Sequence, residues 1–153
     1  MIEWRKKPFE ELTGEELYAI LALRQKVFVV EQRCAYLDAD GRDQDSFHLS
    51  GWDEDGRLRA YLRIIPPGKR FPEPSIGRVV TDRAVRRQGF GKELMHQGIH
   101  WCRELYPNLP IRISAQQYLE RFYSELGFRP DPLIPPYDDD GILHVDMTLP
   151  AGT

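Results

Sequence analysis

Arg86-Arg87-Gln88-Gly89-Phe90-Gly91-Lys92 is the stretch that decides the fold, because it stands between a short apolar strand and a strongly amphipathic helix. Glycines let the backbone approach an anion closely, and the free amides at a helix N-terminus bind anionic oxygens. Each such amide contributes roughly 1.5 to 3 kcal/mol, so about three or four of them anchor a diphosphate. Arg83, Arg86, Arg87 and Lys92 add positive charge. The stretch predicts a phosphate-binding turn, and the alternative is a tight loop without a ligand.

Two common phosphate-binding motifs do not fit this turn. A Walker A loop needs Ser or Thr directly after its Gly-Lys pair and a glycine five positions before the second glycine, but Glu93 and Arg86 occupy these positions. A dinucleotide-binding fingerprint needs a third glycine three residues after Gly91, where Leu94 stands. The turn therefore belongs to neither class.

Outward from this turn, hydrophobic periodicity and turn residues predict strands that alternate with helices. The predicted strands are residues 1–6, 48–52, 57–65, 75–81, 110–115 and 142–149, and the predicted helices are one that starts at the Thr13–Glu16 capping box and carries an apolar stripe to Phe28, one over 89–106 and one over 117–126. Asp55-Gly56 and Asp140-Gly141 predict hairpin turns. We expect an α/β fold with a mixed sheet, in a single domain of residues 1–153.

The third predicted strand alternates apolar and polar side chains. We expect one face to be core and the other to be polar. The apolar positions are Leu58, Ala60, Leu62 and Ile64, and the polar ones are Arg57, Arg59, Tyr61 and Arg63.

Composition and charge exclude several classes of function. The chain has 153 residues, and 21 Lys and Arg against 24 Asp and Glu give a net charge of −3, which argues against a nucleic-acid-binding protein. Its apolar runs are too short to cross a membrane, and residues 1–7 lack the apolar region of a secretory signal, so we expect a cytoplasmic protein. Cys34 and Cys102 are then reduced thiols without metal-ligand spacing. His96 and His100 lie on the polar helix face, and we expect no metal site.

Several segments resemble one known family. The pattern R/Q-x-x-G-x-G/A, matched by Arg86, Gly89 and Gly91, resembles the acetyl-CoA loop of the GNAT family of N-acetyltransferases. Residues 115–128, Ala-Gln-Gln-Tyr-Leu-Glu-Arg-Phe-Tyr-Ser-Glu-Leu-Gly-Phe, resemble the second motif of that family. The segments that resemble its ElaA-like branch are Phe28-Val29-Val30-Glu31-Gln32, Tyr36, Asp38, Asp40-Gly41 and Asp140-Gly141-Ile142-Leu143-His144.

This resemblance implies a GNAT-like mixed, mostly antiparallel sheet with splayed central strands flanked by helices. It also implies transfer of the acetyl group from acetyl-CoA to a primary amine, with no metal required. Pantetheine would lie between the fourth and fifth strands, against the backbone of Val79, Val80 and Thr81. The residues that would hold the diphosphate are Arg86, Arg87, Gln88, Gly89, Phe90, Gly91 and Lys92.

Three side chains are candidates for the proton transfers. An alkyl amine is protonated at pH 7, and deprotonating it costs about 4.6 kcal/mol, so a base is needed. Glu31 stands in the apolar stripe of the first helix and is the leading base or substrate carboxylate; the alternative is an ion pair with Arg24. His144 is a second candidate base, acting through a water, or a structural histidine. By the resemblance, Tyr123 is the acid for the leaving thiolate, although packing alone also explains its place.

The acceptor amine is not identified by any motif. Asp38, Asp40, Asp43 and Asp45 form either a solvated loop or a rim around the acceptor pocket, and a rim favours a cationic acceptor such as a polyamine or a lysine-containing peptide. The candidate substrate residues are Arg24, Glu31, Asp38 and Asp40. The rival functions are a non-catalytic acyl-CoA sensor and an interaction domain with a vestigial loop. The protein is expected to be a monomer or a homodimer.

Overall fold

The first helix begins at the predicted capping box. In the computed structural model, which describes residues 1–152, the Thr13 hydroxyl accepts from the Glu16 amide at 3.1 Å and the Glu16 carboxylate accepts from the Thr13 amide at 2.9 Å. Helix α1 spans Gly14–Arg24 and continues as a π-helical segment, Gln25–Glu31. The wider π turn advances each residue by less than the 100° of an α-helix. The predicted apolar stripe is therefore interrupted, because the spacing from Arg24 to Glu31 no longer keeps both residues on one face.

The remaining elements follow the predicted order. The strands are β1 (Glu3–Pro8), β2 (Phe47–Trp52), β3 (Leu58–Ile65), β4 (Ser75–Thr81), β5 (Ile111–Gln116), β6 (Arg129–Pro130), β7 (Tyr137–Asp139) and β8 (Ile142–Leu149), and the helices are α2 (Phe90–Leu105) and α3 (Glu120–Glu125). A 3₁₀ turn, Gln117–Leu119, replaces the first turn predicted for the last helix. The short strands β6 and β7 were not predicted. Over residues 1–152, no helix has both the length and the apolar character needed to cross a membrane.

The strands form one sheet in the order β1-β2-β3-β4-β5-β8-β6, with β7 also paired to β8. Every pairing is antiparallel except that of β4 with β5, which run parallel and are in register at Ser75 and Arg112. Beyond that point, residues 76–81 of β4 and Ile113 of β5 line the walls of one cavity, so the two strands diverge. The predicted mixed, mostly antiparallel sheet with splayed central strands is confirmed.

Both faces of the sheet are buried. Helix α2 packs so closely on one face that a Cβ atom added at Gly98 would lie 2.6 Å from a methyl group of Leu62. On the other face, Tyr61 is fully buried and packs with Ile20 of α1 and with Leu58. The prediction of a polar face on β3 is therefore wrong at Tyr61 and Arg63, which are 0% and 1% exposed, and Leu58 lies on the opposite side from that predicted.

Candidate active site

The divergence of β4 from β5 opens a cavity of about 430 Å³. Its walls come from both strands, from the π-helical segment, from α3 with the 3₁₀ turn before it, and from the β7–β8 hairpin. The structure brings the following predicted site residues to its walls: Glu31, Val79, Val80, Thr81, Arg86, Tyr123 and His144. Residues far apart in the sequence thus line one cavity.

The glycine turn leads from β4 into α2, beside the Arg86 end of the cavity. Gly89 is the N-cap of α2 with φ of 81° and no capping side chain, and Arg87 before it also has a positive φ, of 68°. The first amides of α2, at Phe90, Gly91 and Lys92, have no acceptor within the helix. A Cβ atom at Gly89 would meet nothing within 4 Å, so the space in front of the turn is open. The turn therefore presents unpaired amides at a positive helix terminus.

The π-helical segment connects the ends of both diverging strands. Glu31 accepts a hydrogen bond from Arg86, which follows β4, and Gln32 donates to Gln116 of β5 at 3.0 Å. The predicted alternative of a Glu31–Arg24 ion pair is wrong, because the partner of Glu31 is Arg86. The expectation that Glu31 is buried is also wrong, since its side chain is 35% exposed. The hydrogen bond from Arg86 lowers the pKa of Glu31, which makes its carboxylate a weaker base.

Tyr123 combines core packing with access to the cavity. Its side chain is 6% exposed and makes edge-on contacts with Phe122 and Phe128, with ring centroids 5.1 and 6.0 Å away. It also lines the cavity wall. Burial raises the pKa of the Tyr123 phenol above its ordinary value, so the hydroxyl keeps its proton at neutral and alkaline pH. Both predicted interpretations of Tyr123 are thus compatible with where it lies.

His144 has a defined tautomer at the cavity wall. Its Nδ1 lies 2.8 Å from the carbonyl of Ile142. Because a carbonyl only accepts, Nδ1 must carry the proton, which leaves Nε2 of the neutral ring with its lone pair available. The ring stacks on Tyr137, with centroids 6.1 Å apart and planes at 23°. The position and the tautomer of His144 suit a proton acceptor.

The sequence does not predict the row of hydrogen bonds through Tyr137, the residue on which the His144 ring stacks. Tyr137 donates to Asp146 at 2.6 Å, so the short contact between Ser114 and Tyr137 has Ser114 as the donor. Arg112 donates to the other oxygen of Asp146 at 2.7 Å. One signal was available in the sequence, since extending the hairpin at Asp140-Gly141 backwards by one strand places Tyr137 opposite His144.

Comparison with known proteins identifies the family of this chain. The model of the acetyltransferase (GNAT) domain matches residues 13–151. The chain belongs to the GNAT family.

Individual GNAT relatives resemble the chain along nearly its whole length. The UPF0039 protein sll0451 of Synechocystis is 48% identical over 95% of this chain and 94% of its own. The protein ElaA of Escherichia coli is 40% identical over 96% of this chain and 95% of its own, and its crystal structure superposes with a TM-score of 0.89. A crystal structure described as an acyl-CoA N-acyltransferase from Pseudomonas aeruginosa is 39% identical, covers 97% of this chain and 99% of that one, and has a TM-score of 0.91. The predicted ElaA-like branch is confirmed, and membership of the GNAT family supports an acyltransferase.

The acidic loop of this GNAT chain does not border the cavity as a rim. Arg24 is 0% exposed and donates to Asp38 and Asp43, each at 2.7 Å. These three side chains are buried against the sheet, and none of them lines the cavity. The prediction that Arg24 and Asp38 contact the substrate is corrected: they hold the loop after the π-helical segment in place.

Asp40 has a similar structural role. Arg63 and Arg78 of the neighbouring strands both donate to its carboxylate. Although burial would raise the pKa of Asp40, the hydrogen bond from Arg63 lowers it overall, so Asp40 stays ionised. Asp40 does not line the cavity, so it is not the predicted substrate contact. The loop is therefore not a rim: Asp38, Asp40 and Asp43 are held by arginines, only Asp45 is exposed as a solvated loop would have it, and the reason to favour a cationic acceptor is lost.

Proposed function

We propose that this protein transfers the acetyl group of acetyl-CoA to a primary amine. The observation that carries the proposal is the cavity between β4 and β5, which has an uncapped glycine turn beside one end and both Tyr123 and His144 on its walls. A long carrier with a diphosphate and a thin flexible arm matches this arrangement, since the turn offers amides to the diphosphate and the diverging strands offer backbone groups to the arm.

The residues present fit acyl-CoA at two places. The amides of residues 87–92 and the Arg86 guanidinium would hold the diphosphate, and the Val79–Thr81 backbone would pair with the amides of the pantetheine arm. Gly89 leaves open space where the diphosphate would approach, because it has no side chain. Arg86 would exchange its bond to Glu31 for the diphosphate or share it between the two.

Two side chains would move the protons. Acyl-CoA supplies a thioester, whose carbonyl carbon is attacked by a neutral amine while the C–S bond breaks. His144 Nε2 would accept the proton of the amine through a water, and the tautomer fixed by Ile142 supports this role. Tyr123 would donate its proton to the departing sulfur, since burial keeps the phenol protonated. Glu31 would position the Arg86 guanidinium at its end of the cavity. It would not serve as the base.

The experiment is a screen of amines with acetyl-, propionyl- and butyryl-CoA, read by release of free CoA and by mass spectrometry of the acceptor. We expect acetyl transfer to at least one class of primary amine, with the acetyl donor preferred. Saturable CoA binding without transfer to any amine would indicate a sensor and refute the proposal. Preference for a longer acyl group would refute the acetyl specificity alone.

A further inference from the structure

Arg70 is a partly exposed arginine at the cavity wall that has no carboxylate partner among residues 1–152. It lies in the β3–β4 loop and lines the cavity. Burial lowers the pKa of Arg70, the phenol of Tyr137 opposes this, and the nearby guanidinium groups of Arg42 and Arg78 lower it further. Within residues 1–152, no carboxylate forms an ion pair with it. Its guanidinium lies over the ring of Phe71, 4.9 Å from the ring centroid. Because arginine stays charged in proteins, Arg70 presents to the cavity a positive charge that no ion pair holds.

The carboxylates around Arg70 are all bound to other arginines. The guanidinium groups that act on Arg70 belong to Arg42, Arg63 and Arg78, and the carboxylates that pair with them are Asp38, Asp40 and Asp43. Arg112 shares the Phe71 ring with Arg70 and pairs with Glu73 and Asp146. Because every one of these carboxylates is held by another arginine, Arg70 is available to an anion that enters the cavity.

This place is separate from the glycine turn. Arg70 precedes the first residue of β4 by five positions, whereas Arg86 follows its last residue, Thr81, by five. A strand of this length spans about 20 Å, so one diphosphate cannot reach both arginines. The cavity therefore offers a second anion-binding position at the far end of β4.

Arg70 and the proposed proton acceptor, His144, line the same cavity. His144 stacks on Tyr137 with ring centroids 6.1 Å apart, and the phenol of Tyr137 acts to raise the pKa of Arg70. The other acidic residues at the wall are Glu31, which is bound to Arg86, and Asp139 and Asp140 on the exposed hairpin turn. A molecule with its amine at His144 and its anionic group at Arg70 would therefore lie within one cavity of about 430 Å³.

We propose that the acceptor is an amine that also carries a carboxylate, and that Arg70 binds this carboxylate. The inference rests on the proposed acetyl transfer and names its substrate class. The planar guanidinium fork matches a carboxylate with two parallel hydrogen bonds. Both a free amino acid and the C-terminal residue of a short peptide present this chemistry.

The test compares acceptors that differ only in the anionic group. We would measure acetylation of glycine against glycinamide, of lysine against lysinamide, and of a lysine-ended tripeptide against its C-terminal amide. We expect the carboxylate form to have a kcat/KM about 10- to 100-fold higher than the amide, in the free amino acids, the tripeptide or both. The pairs that show this preference tell whether the acceptor is a free amino acid or a peptide C-terminus. In Arg70→Met this preference should disappear because the KM for the carboxylate acceptor rises, while the KM for acetyl-CoA stays unchanged. Arg70→Lys should restore part of the preference.

The matched control is Lys69→Met, which removes a neighbouring positive charge of the same loop. Lys69 is 56% exposed, lies near Asp45 and does not line the cavity. The Lys69→Met variant should keep the full preference for the carboxylate form. The melting temperature gives an independent readout: Arg70→Met should be about as stable as the wild type, because the substitution breaks no ion pair within residues 1–152.

The outcomes separate this inference from the proposed function. Equal rates for each carboxylate and its amide would refute the carboxylate inference and leave acetyl transfer standing, and faster reaction of aminomethylphosphonate than of glycine would refute the choice of carboxylate. If no amine is acetylated, the proposed function fails, and a binding measurement then tests the carboxylate inference. In the presence of CoA, N-acetylglycine should then bind about 10-fold more tightly than N-acetylglycinamide in the wild type only. Equal or undetectable binding of the two probes would refute the role of Arg70.

Discussion

Substitution of Gly89 by alanine tests the glycine turn without crowding the protein. Gly89 has φ of 81°, and its added Cβ would meet no protein atom within 4 Å. The cost to the fold is therefore that of placing an L-residue in the left-handed region, about 1–2 kcal/mol. For a protein of this size, that corresponds to a loss of about 2–8 °C in melting temperature.

The effect on ligand binding should be larger and specific. The new methyl group enters the open space in front of the turn, and a backbone that relaxes to relieve the strain no longer aims its amides at one point. Loss of one amide–phosphate bond costs about 1.5–3 kcal/mol, which weakens the affinity for CoA about 10- to 150-fold. Pantetheine lacks the diphosphate and should bind the variant as it binds the wild type. Titration calorimetry with both ligands measures the difference.

Gly56→Ala is the matched control. Gly56 lies in the β2–β3 turn with φ of 76°, and its Cβ would also meet nothing within 4 Å, so the same strain arises away from the cavity. It should lose a similar amount of melting temperature and bind CoA normally. The reasoning is refuted if Gly89→Ala binds CoA within twofold of the wild type while both variants lose stability, or if Gly56→Ala weakens CoA equally.

Three further predictions follow from the buried groups. Tyr123→Phe should lower kcat about 10²-fold with unchanged affinity for acetyl-CoA in steady-state kinetics and calorimetry, and unchanged turnover would remove the phenol from the reaction. Arg24→Leu leaves two buried carboxylates without this partner and should cost about 3–5 kcal/mol in urea unfolding, whereas a loss below about 1 kcal/mol would show that the network contributes little. Against the effect of burial, hydrogen bonds from Thr13, Lys7 and Arg5 lower the pKa of Glu16 to about 2. The contribution of Glu16 to the free energy of unfolding is present above its unfolded pKa near 4 and is lost as the pH falls toward 2. The urea midpoint should therefore fall over this range, and it should fall less in Glu16→Gln.

Local signals in the sequence are sufficient for most elements and for the geometry of the glycine turn. The capping box at Thr13 and the hairpin turn at Asp55-Gly56 act over a few residues, so their chemistry is visible in the sequence. The glycine turn combines a positive φ, a helix start and a preceding strand, all of which are contiguous. The resemblance to GNAT proteins then supplied the divergence of β4 from β5.

The features that were missed depend on contacts between distant residues. The π-helical segment changes the face on which Glu31 lies, and its sequence carries no marker of the extra residue per turn. The sequence of the acidic loop does not show its partners, because Arg63 and Arg78 come from strands 20 or more positions away. The alternation in β3 predicts a polar face at Tyr61, because the cover provided by α1 is a tertiary effect. The sequence gives no signal for Arg70, because a missing partner is visible only in three dimensions.

The most direct test of the central claim is a crystal structure of the protein soaked or co-crystallised with acetyl-CoA. The account predicts density for the diphosphate within hydrogen-bond distance of the amides of residues 87–92, and for the pantetheine arm between β4 and β5, with the thioester near Tyr123 and His144. Diphosphate density at any other place, or a carrier that lies outside the cavity, would contradict it.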